Sequence, residues 1–139
     1  MMGETAKFTD RQVRHMFFER EQSRCFYCRR PLAWTLRGAM LDGGWSAHHR
    51  IDRGMGGRGK KVRVSCADGL ILCGTGTTGC HGFFTERKRL AIELGISIPR
   101  NATGPDFAPT SVRARDKAGR WFLLTENGRL HEVDEGNAR

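Results

Sequence analysis

Four of the five cysteines have a spacing that could bind a metal ion. Cys25 and Cys28 are separated by two residues, whereas Cys73 and Cys80 are separated by six residues rich in glycine and threonine. Four thiolates satisfy the tetrahedral geometry of a structural Zn²⁺, and such an ion stabilises a chain with a modest core. We therefore predict a structural zinc site, with a redox Cys-x₂-Cys motif and unrelated buried thiols as the alternatives. Cys66 fits a buried position in a strand.

Three histidines lie close to these cysteines in the sequence. His48 and His49 are adjacent, and His81 directly follows Cys80. Neighbouring side chains on a strand point to opposite faces, so we expect one of the pair to bind a metal and the other to act on a water molecule. A divalent cation and an imidazole base are the parts that phosphodiester hydrolysis needs. The alternatives are a surface pair on a strand, and His81 as a zinc ligand in place of a cysteine.

Composition favours a polyanionic partner. The chain has 139 residues, with 24 Lys and Arg against 15 Asp and Glu, so its formal net charge is +9. This excess of positive charge is typical of nucleic-acid binding, although it could serve solubility alone. No apolar stretch has the length of a membrane span, and no charged-then-apolar leader is visible. We therefore expect no membrane association, a cytoplasmic location, and no disulfide framework.

Hydrophobic patterning predicts a small α+β chain. Thr9 and Gln12 form a capping box that would begin the first helix. The expected elements are a helix over 10–22, the cysteine knuckle and a short strand over 24–36, a strand over 45–51, a short apolar run over 69–72, and a helix over 80–94 that stops at Gly95.

The last third of the sequence is separated from the rest by a proline-rich segment. Three of the four prolines fall within 99–110, which predicts a linker between a main domain over 1–98 and an appendage over 111–139. The appendage reads as a β-hairpin, because Asn127-Gly128 lies between two apolar segments and supplies the positive φ angles of a tight turn. A lone hairpin is marginally stable, so we expect it to pack on the domain or on a partner.

Taken together, these segments resemble the HNH endonuclease family, and in particular small HNH proteins of tailed bacteriophages that infect actinobacteria. The resemblance covers about residues 24–90 and includes the strings HHRIDRGMGG at 48–57 and LILCGTGTTGCHG at 70–82. It implies a zinc-stabilised ββα-metal (His-Me finger) fold, here with an N-terminal helix and a C-terminal β-hairpin. In that fold, a two-stranded ribbon and a helix hold one catalytic divalent ion, which could be Mg²⁺, Mn²⁺, Ni²⁺ or Zn²⁺.

The resemblance also implies roles for individual residues. His49 matches the general base, while His48 and His81 match ligands of the catalytic ion. Asp68 falls at the family's middle Asn, a structural position that pins the loop between ribbon and helix; an ionised Asp can accept hydrogen bonds there but cannot donate them. The family's zinc quartet corresponds to Cys25, Cys28, Cys73 and Cys80.

By resemblance, the substrate is double-stranded DNA, and hydrolysis leaves a 5′-phosphate and a 3′-hydroxyl. Candidate phosphate contacts lie in and beside a Gly-rich loop, for which a solvated turn is the alternative: Arg50, Arg53, Arg58, Lys60 and Lys61. Phage members are associated with the terminase large subunit, so a role in genome packaging is expected. Two other hypotheses are a non-catalytic, zinc-stabilised nucleic-acid-binding module and an accessory protein of the terminase.

Overall fold

A computed structural model describes residues 7–51, 64–102 and 104–137. Within these ranges the chain is a small α+β structure with short helices and two small antiparallel sheets, as the patterning predicts. The helices and strands, in chain order, are α1 (Asp10–Arg14), a π-helical turn (His15–Arg20), β1 (Trp45–His49), β2 (Gly69–Cys73), α2 (Gly79–Glu86), α3 (Lys88–Glu93), β3 (Ala114–Arg115), β4 (Trp121–Leu124) and β5 (Leu130–Val133). Single 3₁₀ turns lie at Trp34–Leu36, Cys66–Asp68 and Pro105–Phe107.

The first helix begins at the predicted capping box. The Gln12 backbone N–H donates to Thr9 Oγ1 at 3.0 Å, and the Thr9 backbone N–H donates to Gln12 Oε1 at 2.8 Å. After Arg14 the backbone widens into the π-helical turn, and the helical segment ends at Arg20 instead of residue 22. Its buried face carries Val13, Met16 and Phe17, which belong to the hydrophobic core.

β1 and β2 form the two-stranded ribbon at the centre of the structure. They are antiparallel, and their register pairs Trp45 with Cys73 and His49 with Gly69. Every residue of β2 is buried, because the strand is covered on both faces. α2 follows β2 after the insert between the second cysteine pair and packs against it. The chain therefore shows a strand–strand–helix order around the predicted site.

A buried ion pair that the sequence analysis missed holds β2 to the first helix. Arg20 and Glu21 form two hydrogen bonds, of 2.6 and 2.7 Å, and their side chains are almost fully buried. Arg20 Nη2 also donates to the Gly69 carbonyl at 2.7 Å, while Glu21 Oε2 accepts from the Ile71 backbone N–H at 3.1 Å. These bonds satisfy both charges and fix the outer edge of the ribbon.

The helix predicted over 80–94 is two helices in the structure. The backbone of Arg87, at φ −111° and ψ 64°, leaves the helical region and separates α2 from α3. Helical structure ends beside Gly95, as predicted: its φ is +70°, and an added Cβ would collide with the Arg113 carbonyl. No helix within the described ranges is long and apolar enough to cross a membrane.

The C-terminal hairpin is confirmed and is extended by β3 into a three-stranded sheet. It contacts the rest of the chain through side chains and backbone. Phe122 packs edge-on against Phe26 with ring centroids 5.9 Å apart, and Arg29 Nη2 donates to Asp116 Oδ2 at 2.9 Å. The hairpin therefore packs on the main body, which is one of the two outcomes expected for it.

Candidate functional site

The four predicted zinc ligands converge on one point. The sulfur atoms of Cys25, Cys28, Cys73 and Cys80 all lie within 4.8 Å of one another. Tetrahedral coordination at about 2.3 Å places two sulfurs about 3.8 Å apart, and the Sγ atoms of Cys28 and Cys73 are separated by 3.8 Å. Four soft thiolates at this spacing suit zinc. The cluster can therefore hold a structural metal ion.

Local backbone geometry builds this cluster from two short segments. The Cys28 backbone N–H points at Cys25 Sγ at 3.5 Å, and the Cys80 backbone N–H points at Cys73 Sγ at 3.3 Å. The bond from the Cys80 N–H favours the charged form of Cys73. The six-residue insert folds back because Gly74, at φ +88°, adopts a conformation that other residues rarely reach. The end of β2 and the start of α2 thus meet at the cluster.

Hydrogen bonding among the thiols distributes their protons unevenly. The hydrogen bond with Cys25 lowers the pKa of Cys28 to about 6 and is the largest cause that lowers the pKa of Cys73. The pKa of Cys25 is raised, mainly by the hydrogen bonds that this residue makes with Cys28 and Cys73. Thiolates are the form that binds zinc. Cys66 lies outside the cluster and is buried as predicted, but in the 3₁₀ turn Cys66–Asp68 and not in a strand. Burial raises the pKa of its thiol.

Next to the cysteine cluster, a histidine from the ribbon meets a histidine from the helix. His48 on β1 and His81 on α2 have ring centroids 5.1 Å apart, with an interplanar angle of 70°. Two imidazoles that share one ion at about 2.1 Å place their ring centres roughly 5 Å apart. The separation of the two rings is therefore compatible with two ligands of one divalent ion, and equally with an edge-to-face ring contact.

The surroundings of His48 keep it neutral and fix its tautomer. Its side chain is buried, and Nε2 lies 3.0 Å from the Ile96 carbonyl oxygen. A carbonyl only accepts, so Nε2 carries the proton and Nδ1 keeps its lone pair. Burial, the largest cause, and the charge of His81 together lower the pKa of His48 to about 3. A neutral imidazole is the form that coordinates a metal.

His81 is also biased toward the neutral form. It is the third residue of α2, and its Nδ1 lies 2.6 Å from Ser46 Oγ on β1. Burial lowers the pKa of His81, and the positive charge of Lys88 acts in the same direction. Ser46 is not among the predicted site residues, although its position two residues before His48 places it on the same face of the strand.

His49 lies on the opposite face of the ribbon. Its ring stacks on Phe8 with centroids 4.3 Å apart and an interplanar angle of 22°. Alternation along β1 accounts for this, since His48 points to the other face. Of the three predicted histidines, the structure therefore brings His48 and His81 together and places His49 on the face that Phe8 covers.

Asp68 lies in the turn before β2, and its carboxylate accepts hydrogen bonds there. Oδ2 accepts from the Ser65 backbone N–H at 2.7 Å, and the Asp68 carbonyl accepts from the Arg50 backbone N–H at 2.7 Å. The side chain is buried. These hydrogen bonds lie in the connection between β1 and β2, whereas the resemblance placed Asp68 in the loop between the ribbon and the helix.

Arg50 is not a phosphate contact, which corrects the prediction made for it. The residue has no exposed surface, and its guanidinium donates to backbone carbonyls at distances between 2.7 and 3.1 Å. Those carbonyls belong to Ala67, Gly95, Pro109 and Val112. Arg50 therefore ties the end of the ribbon to the segment that was predicted as a linker.

The other predicted phosphate contacts, Arg53, Arg58, Lys60 and Lys61, lie outside the described residues. What the structure does show is a cysteine cluster and a histidine pair that meet at adjacent residues, Cys80 and His81, on the first turn of α2. No family model, no curated protein and no solved structure matches the chain.

Proposed function

We propose that this chain is a metal-dependent DNA endonuclease of the HNH type. The observation that carries the proposal is the histidine pair: His48 from the ribbon and His81 from the helix have ring centroids 5.1 Å apart, directly beside a cysteine cluster that can hold zinc. Two neutral imidazoles leave further coordination positions of a divalent ion to water and phosphate oxygens. The net charge of +9 supports a nucleic-acid substrate.

In this proposal the residues have separate roles. His48 Nδ1 and His81 would hold the divalent ion, which would supply stabilisation of the negative charge on the non-bridging and leaving oxygens of the phosphodiester. His49 is the candidate base that takes the proton of the attacking water. Because His49 lies on the face opposite the histidine pair at the last residue of β1, this role requires the attacking water to reach it around the end of the strand.

The cysteine cluster would support the chemistry without taking part in it. Cys73 ends β2, and Cys80 precedes His81 on α2. A zinc ion at the cluster would therefore fix the helix, and with it His81, relative to the ribbon that carries His48. The resemblance alone supports the wider setting, which is action beside a phage terminase in genome packaging.

A plasmid assay tests the proposal. We expect the purified, zinc-loaded chain to nick or linearise supercoiled DNA with Mg²⁺, Mn²⁺ or Ni²⁺, and His49→Ala to abolish cleavage without loss of zinc. His81→Ala should lose activity by weakening the site for the added ion. His131→Ala is the matched control, because this histidine is exposed on β5 and far from the site in the chain. Unchanged cleavage by His49→Ala would remove its assignment as the base.

The placement of His49 favours a second candidate, a zinc-stabilised DNA-binding module without catalysis. A base on the face opposite the histidine pair is less easily brought to a shared water than one on the same face. Metal titration separates the two candidates: the nuclease binds a second, exchangeable divalent ion beside a tightly held zinc, whereas the binding module takes up zinc alone. Absence of cleavage with all three ions, together with retained DNA binding, would select the module.

A further inference from the structure

Ser46 stands between His81 and a backbone carbonyl. Its Oγ lies 2.6 Å from His81 Nδ1 and 2.9 Å from the carbonyl oxygen of Gly74. Both partners are close enough for a hydrogen bond, and the serine hydroxyl has a single proton to give. The direction of the two bonds can therefore be worked out from the chemistry of the three groups.

The Gly74 carbonyl can only accept a hydrogen bond. The Ser46 hydroxyl donates its single proton to that carbonyl at 2.9 Å, so toward His81 its Oγ can only accept a hydrogen bond. The donor that remains is His81 Nδ1–H. In the neutral ring this leaves the lone pair on Nε2, the nitrogen at the other side of the imidazole.

We propose that Ser46 is a positioning residue, which selects the Nδ1–H tautomer of His81 and so leaves Nε2 as the ligand atom. The purpose of this arrangement rests on the proposed function, but the tautomer itself follows from the hydrogen bonds. At His48 the opposite tautomer is selected, because the Ile96 carbonyl accepts from Nε2–H and leaves Nδ1 unprotonated. Neighbouring groups that fix the proton of a ligating histidine typically change metal affinity by about 10–100-fold.

The acceptor that orients Ser46 is itself firmly held. Gly74 directly follows Cys73 of the cysteine cluster, and its backbone N–H donates to the Gly44 carbonyl at 2.9 Å. Its φ of +88° and the close approach of the Thr78 carbonyl exclude a side chain at this position. The cysteine cluster on one side and Gly44, just before β1, on the other thus hold the carbonyl that accepts the Ser46 proton. Through Ser46, that carbonyl also determines which nitrogen of His81 is protonated.

Nuclear magnetic resonance tests the tautomer directly. Long-range ¹H–¹⁵N correlation spectra of the zinc-loaded full chain, recorded at pH 7.5 without a second metal, distinguish Nδ1–H from Nε2–H imidazole. We expect the Nδ1–H pattern for His81 in the wild type and in Ser46→Thr, which keeps a hydroxyl. Ser46→Ala should give a mixed pattern, because Nδ1 loses its acceptor. An Nε2–H pattern in the wild type, or an unchanged pattern in Ser46→Ala, would overturn the proposal.

Calorimetric titration with Ni²⁺ alone then connects the tautomer to metal binding. Ser46→Ala should bind Ni²⁺ at least about 10-fold more weakly than the wild type. Ser46→Thr should keep most of the wild-type affinity. Zinc content and thermal melting of each variant show that the fold is kept. If the wild type shows the Nδ1–H pattern but binds no Ni²⁺, the inference about Ser46 stands and the proposed metal-dependent function fails.

Discussion

Phe8 stacks on His49 across the face of the ribbon opposite the one where His48 meets His81, with ring centroids 4.3 Å apart. The pairing partner of His49 on β2 is Gly69, and the space above that glycine is filled by the Phe8 ring. A side chain at residue 69 and the aromatic ring of Phe8 therefore compete for the same volume. The stack restricts the orientation of the His49 imidazole.

Displacing Phe8 should lower the proposed nuclease activity without changing His49 itself. Gly69→Ala places a methyl group where the Phe8 ring lies, and Phe8→Ala removes the ring itself. We expect both variants to cleave plasmid several-fold more slowly than the wild type while keeping their zinc. Phe83→Ala is a control, since this aromatic residue is exposed on α2 and outside the stack. Full activity in both Phe8→Ala and Gly69→Ala would show that the stack does not orient the base.

Loss of one cluster cysteine should release the metal and destabilise the fold. We expect Cys25→Ser to lower the bound zinc well below about one ion per chain and to reduce the melting temperature strongly, because binding energy at a structural zinc site is folding energy. Cys66→Ala is the matched control, since Cys66 is buried but lies outside the cluster. Metal analysis and thermal denaturation measure both effects. Equal zinc loss in the two variants would contradict the assignment of ligands.

Acidification should weaken the fold through His48. Burial lowers the pKa of His48 from 6.5 to about 3, so below pH 6.5 the unfolded chain binds a proton that the folded chain does not. The free energy of unfolding therefore falls as the pH falls toward 3, and the contribution of this group between pH 7.5 and 5 is about 2 kcal/mol.

The comparison that isolates this effect uses His48→Gln, which cannot titrate but can still donate to Ile96. Urea denaturation at several pH values should show a shallower pH dependence for the variant than for the wild type. Zinc binding by the thiolates also weakens in acid, but it does so in both proteins and cancels in the difference. Parallel curves for the two proteins would contradict the lowered pKa.

Arg50→Lys should destabilise the protein although the charge is kept. A lysine has no planar fork of donors, so several of the carbonyls that Arg50 now satisfies would lose their partner. Each buried group left unsatisfied costs about 1–3 kcal/mol, and we expect a loss of about 2–5 kcal/mol in the free energy of unfolding, measured with urea. A loss below the error of the measurement would contradict the structural role.

Arg58→Ala tests the phosphate contacts that remain predicted for the Gly-rich loop. Each cation that neutralises a phosphate contributes about 0.9 to the slope of log affinity against log salt concentration on duplex DNA. We expect the slope to fall by about this amount in Arg58→Ala, with the melting temperature unchanged. An unchanged slope would assign Arg58 to the solvated turn instead.

The cysteine cluster could be predicted from the sequence because its signal is local. Two residues between Cys25 and Cys28 constrain the turn, and four cysteines match the coordination number of zinc. Strand alternation also predicts that His48 and His49 face opposite ways, which the structure shows. The Asn-Gly turn of the hairpin is another local signal.

The role of Arg50 could not be predicted, because its partners lie far along the chain. An arginine after two histidines and before a basic loop has the pattern of a phosphate contact. Its burial depends on carbonyls at residues 95, 109 and 112, which approach only when the fold is complete. Ser46 could not be predicted for a related reason. Its hydrogen-bond partners, Gly74 and His81, lie 28 and 35 positions away in the chain.

The bond between His15 and Gly128 joins residues 113 positions apart in the chain. Closing so long a loop costs conformational entropy before the contact that stabilises it can form. Folds with many such distant contacts therefore fold slowly. During synthesis, the first helical segment must therefore wait for the hairpin turn to leave the ribosome before this contact can form. The same dependence makes the protein a poor candidate for trimming to its ribbon and cysteine cluster, because the removed part contains carbonyls to which Arg50 and His15 are hydrogen-bonded.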